Sequence, residues 1–91
     1  MSAEPTTGAT DSDALHPLRA EFDSVVGAYN SAIATGKLRT IRAAVKPAHQ
    51  ALFAMSRSIP ASTNLESLLF RQTVEAAILD VRWGRAIAVK A

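Results

Sequence analysis

The segment from Leu65 to Lys90 carries two apolar stripes at helical spacing, and no other feature limits so tightly what this chain can fold into. At about 100° per residue, Leu65, Leu68, Leu69, Ala76, Leu79, Trp83, Ala86 and Ile87 share one face. Phe70, Val74, Ala77, Ile78, Val81 and Ala88 fall on roughly the opposite face. A surface helix needs one apolar stripe, and a helix with two must be covered on two sides. The chain has 91 residues, which is one domain with a thin core. The rest of such a chain covers one stripe and leaves the other for a partner. The Leu65/Leu79/Trp83 face is expected to join the chain's own core. Phe70, Val74, Ala77, Ile78 and Val81 are expected to form a partner interface.

Two more helices precede this segment. Leu15, Leu18, Phe22, Val25, Tyr29 and Ala32 recur at alternating spacings of three and four, with Val26 and Ile33 beside them. That is a heptad seam. Ser12 or Asp13 suits its N-cap, Pro17 its first turn, and Gly36 a left-handed stop. Gly27 costs helix stability, and its missing side chain suggests a close approach to a neighbouring helix. Leu38, Ile41, Val45, Ala48, Leu52, Met55 and Ile59 repeat the seam. Proline inside a helix removes a hydrogen bond and clashes with the turn before it. The seam nevertheless keeps its phase through Pro47, which favours one kinked helix over two short ones. The short Thr35-Gly36-Lys37 link makes the first two helices antiparallel neighbours or forces a sharp bend between them. Thr63 and Glu66 have capping-box spacing at the start of the third. Gly84 is that helix's weak point, and a short strand from Arg85 to Val89 is the minor alternative.

The expected architecture is therefore all-α. Residues 1–12 form a disordered polar tail and residues 13–91 a single helical domain, with helices near 14–35, 38–58 and 64–89. A helical hairpin plus a long C-terminal helix makes a small, oligomeric bundle. A hydrophobic fraction of 48% argues against wholesale disorder. Without cysteine there is no disulfide framework and no thiolate metal site. No apolar run reaches membrane-spanning length, and the N-terminus lacks a secretory pattern, so a cytoplasmic location is expected.

Charge is unevenly distributed behind the net +2. Residues 1–23 hold Glu4, Asp11, Asp13, Glu21 and Asp23 against Arg19 alone. Residues 24–65 hold Lys37, Arg39, Arg42, Lys46 and Arg57 and no acid. Arg39, Arg42, Lys46, His49 and Arg57 cluster on one side of the second helix, opposite its seam, with Phe53 nearby. Such a stripe suits phosphates or an acidic protein, and its plainest reading is a solvated face.

Little else carries chemistry. His16 and His49 are isolated, without the neighbours a metal needs. Glu75 and Asp80 are five residues apart and point to different sides of a helix. Arg71 and Glu75 form an ordinary i,i+4 pair. Ser56 and Ser58 have no nearby base, and no nucleophile–base pair or phosphate loop can be assembled. The expectation is a non-enzyme with no cofactor. It is a small interaction module, an adaptor, chaperone-like binder or subunit of an assembly, acting by burying an apolar helix face on itself or on another protein. The alternative is a nucleic-acid-associated helical dimer using Arg39, Arg42, Lys46 and Arg57.

Overall fold

The computed structural model describes residues 6–61 and 64–88, and these form three helices with no strand among them. They are α1 (Thr6–Ala34), α2 (Leu38–Ser58) and α3 (Leu65–Arg82). The all-α bundle expected from the seams is what the chain adopts.

α1 and α2 form the antiparallel hairpin that the short link allows. Gly36 adopts φ 68°, and its amide donates to the Ile33 carbonyl at 3.1 Å. Glycine reaches this left-handed region without a Cβ clash. α2 runs unbroken through Pro47. Ala43, Lys46 and Pro47 are all exposed, so water can meet the Ala43 carbonyl that proline leaves unbonded. Leu15, Val26 and Tyr29 of α1 meet Ala48, Leu52 and Met55 of α2 in the buried core. Leu38, at the start of the α2 seam, is exposed.

α1 begins earlier than its cap signals suggest. It starts at Thr6, so residues 6–12, read as tail, are helical, and Ser12 and Asp13 lie inside the helix. Once a helix is nucleated, each added residue gains a hydrogen bond at little further cost, and Thr6 to Leu15 contains no proline. Residues 1–5 of the expected tail lie outside the described residues. At about 1.5 Å per residue α1 is roughly 43 Å long and α2 roughly 31 Å, so the start of α1 projects past α2 along the 55 Å axis of the molecule. Gly27 is exposed and faces open space, so no helix approaches closely there.

α3 is shorter than expected at both ends. Thr63, the expected cap, lies outside the described residues. Asn64 caps the helix, accepting from the Glu66 amide at 2.9 Å. At the other end Gly84 takes φ 68°. The Gly84 amide donates to the Val81 carbonyl and the Arg85 amide to the Asp80 carbonyl, at 3.1 and 2.9 Å. This bond pair is the Schellman stop, and it ends the helix at Arg82 rather than near residue 89. Ile87 therefore leaves the stripe assigned to it and is buried. Its backbone amide donates to Asn30 Oδ1 at 2.8 Å, and its carbonyl accepts from Asn30 Nδ2 at 3.0 Å. The Asn30 side-chain amide offers one donor and one acceptor side by side, as a neighbouring strand would. Residues 85–88 are thus held without forming a strand, and Val89, the end of the alternative strand, lies outside the described residues.

Candidate functional site

The site is built from the two sides of α3. Ser67, Phe70, Val74, Ala77, Ile78 and Val81 are buried. Phe70 meets Phe22 edge-on with ring centroids 5.9 Å apart, and the Arg19 guanidinium lies 5.3 Å over the Phe70 ring. All five residues expected to face a partner (Phe70, Val74, Ala77, Ile78 and Val81) belong to the chain's own core. In this fold they are buried within the chain itself, which departs from the expected assignment of the faces. Two stripes exist, and it is the other one that is uncovered. Leu65, Leu68, Leu69, Leu79 and Trp83 are all exposed, Leu65 by 68% and Trp83 by 73%. Ala76 and Ala86 are exposed with them.

The reason lies in volume. α1 and α2 offer α3 a seam of Tyr29, Leu52 and Met55, which is already bulky. The face with Val74, Ala77 and Val81 at its centre is narrow enough to settle on that seam. The leucine face with Trp83 is the bulkier of the two, and the fold leaves it outside.

A groove of about 710 Å³ runs between α1 and α3 beside the uncovered stripe. Leu69, Gln72 and Ala76 line both the groove and the stripe, so the two surfaces are continuous. Arg19 spans the groove wall to Glu66 at 3.7 Å. Ile87 and Ala88 also line it, and they are fixed by Asn30 and Asp80. Asp80 accepts from Arg85 Nε at 2.8 Å and from the Ala88 amide at 3.4 Å. Asn30 and Asp80 carried no signal of this role in the sequence, since the groups they hold, the Ile87 and Ala88 backbone and the Arg85 guanidinium, are brought to them by the stop at Gly84. The Trp-Gly-Arg segment did carry a signal, because Gly84 is the weak point of an otherwise continuous helical pattern and glycine is the residue that a left-handed helix stop favours.

A second hollow of about 290 Å³ lies between α1 and α2. Ala28, Ala44, Ala48 and Ala51 line it with Pro47 and Tyr29; alanines cannot fill the space between two helices. The Tyr29 hydroxyl is buried and has no hydrogen-bond partner among the described residues. Burial first, and the Asp80 carboxylate second, push its pKa above the usual 10.0.

On α2, Arg39, Arg42, Lys46 and Arg57 are exposed, and no ion pair engages them among the described residues. They extend along roughly 27 Å of helix. His49 meets Phe53 edge-on at 4.6 Å between ring centroids, and Phe53 is exposed. Arg71 turns from Glu75 towards the Ile59 and Pro60 carbonyls, at 3.4 and 3.5 Å. Among the described residues no group of three or more His, Asp or Glu is placed to hold a metal ion. No described helix is long and apolar enough to cross a membrane. Comparison with known protein families, with curated proteins and with solved structures finds no match.

Proposed function

We propose that this protein is a small helical interaction module whose docking surface is the outer face of α3. One observation carries the reading: Leu65, Leu68, Leu69, Leu79 and Trp83 are exposed together on the side of α3 opposite the core. From their exposures and ordinary side-chain areas they present about 600 Å², the upper end of what a soluble monomer leaves open. Covering that surface would contribute on the order of 10 kcal/mol before the costs of association, at about 25 cal/mol per Å². The mode is helix-on-helix, with apolar anchors on one side of a helix meeting a complementary apolar face.

Photo-crosslinking in the host tests this. A photoreactive residue at Leu79 is expected to capture a protein, and one at Arg42 to capture far less. No protein adduct from Leu79 would overturn the reading.

A second reading rests on the exposed cations of α2, which have no ion-pair partner among the described residues. Arg39, Arg42, Lys46 and Arg57, with Phe53 alongside, suit the phosphates and bases of a nucleic acid. It ranks second because the net charge is only +2.

A further inference from the structure

We propose that the occupant of this face is a second copy of the chain, with the two α3 helices antiparallel about a twofold axis near Val74. This rests on the reading of the α3 face as a docking surface and specifies what covers it. Leu65, Leu69, Gln72, Ala76, Leu79 and Trp83 follow one another at spacings of four, three, four, three and four. That alternation is the seam of a paired helix. Phe70, Val74, Ala77 and Val81 follow the same alternation on the opposite side. The fold uses the second seam and leaves the first complete.

Side-chain size sets the direction. In the antiparallel register Leu65 lies opposite Trp83 of the other copy, Leu69 opposite Leu79, and Gln72 opposite Ala76. The layers are then more even in volume than in the parallel register, as close packing favours. In a parallel register Trp83 would meet Trp83 and Ala76 would meet Ala76, so an overfilled layer would lie two positions along the seam from a void. Gln72 is the one polar side chain in the seam, and a single polar seam residue fixes register in paired helices. The area also fits. The roughly 600 Å² on five side chains is most of the about 800 Å² that each partner gives to a standard stable interface. Thr73, Glu75 and Arg82, exposed beside the seam, supply the rim. A twofold interface needs one patch that matches itself.

The chain contains no cysteine, so introduced thiols report cleanly. The 91-residue chain is expected to sediment at about twice its 9.7 kDa. Mixing Leu65→Cys with Trp83→Cys protein and adding a short bismaleimide should link the two variants to each other and neither to itself. Like positions would lie roughly 27 Å apart along the helix. Leu69→Cys with Leu79→Cys, which keeps Trp83, repeats the test one layer inward. Leu79→Glu should weaken self-association at least about thirtyfold, the loss expected of a central anchor, with helical circular dichroism unchanged. Leu65→Cys linking to itself would overturn the antiparallel register. A wild-type chain that stays monomeric in the micromolar range would overturn self-pairing. A Leu79 photo-adduct with a different protein would then show that the docking face survives the loss of this inference.

Discussion

Tyr29 is a buried phenol whose hydroxyl bonds to nothing in the described structure. A buried polar group without a partner costs about 1–3 kcal/mol, so Tyr29→Phe should be neutral to stabilising by about 1 kcal/mol, measured by urea unfolding. The phenol also makes a pH prediction. Its folded pKa is raised, which means the fold prefers the neutral form. Below the unfolded value of 10.0 both states keep the proton, and this group adds no pH dependence. Above it the unfolded chain ionises first, and stability falls by about 1.4 kcal/mol per pH unit until the folded pKa is passed. The wild type should therefore lose stability from about pH 10 upward. Tyr29→Phe should remove that component of the loss, and identical alkaline limbs in the two proteins would place the hydroxyl in water.

The two sides of α3 make opposite predictions under the same substitution. Val74 is fully buried, and a glutamate there puts a charge into the core, so Val74→Glu should cost several kcal/mol and unfold the chain. Leu69 is half-exposed, and Leu69→Glu should keep the helical circular dichroism while abolishing docking. Loss of helicity in Leu69→Glu would mean that this face belongs to the core. How far α3 was legible in the sequence follows from the same contrast. Periodicity gives the existence and angular position of both stripes, because both obey the 3.6-residue turn. It does not give which stripe faces inward, since that depends on the volume of the opposing seam, on α1 and α2. Leucines and a tryptophan look like better core than valines and alanines until Tyr29, Leu52 and Met55 are seen to occupy the space. The sequence marks Gly84 as the weak point of α3 and no more, because the apolar pattern continues through Ala86 to Ala88 and hides the left-handed stop. The consequence of that stop was not legible either, because the Asn30 amide that receives Ile87 lies 57 residues away.

Across the whole molecule, the uneven charge of the sequence persists in the fold. α1 and α2 lie side by side, yet no ion pair joins them among the described residues, and four cations of α2 stay exposed. The protein thus presents an apolar face on α3 and a basic face on α2, and the question is which one sets its partner. Four phosphate contacts without a wider basic field give weak, salt-sensitive binding, whereas the α3 face carries apolar area of interface size. Wild type should therefore leave immobilised duplex DNA at low salt. A variant combining Arg39→Gln, Arg42→Gln, Lys46→Gln and Arg57→Gln should elute beside it and keep its Leu79 photo-adduct. Tight wild-type retention would assign function to α2 instead, provided its dependence on log salt lost about 0.9 in slope for each cation removed. Neutralising four exposed side chains leaves the core untouched, so the comparison separates the two faces without disturbing the fold that presents them.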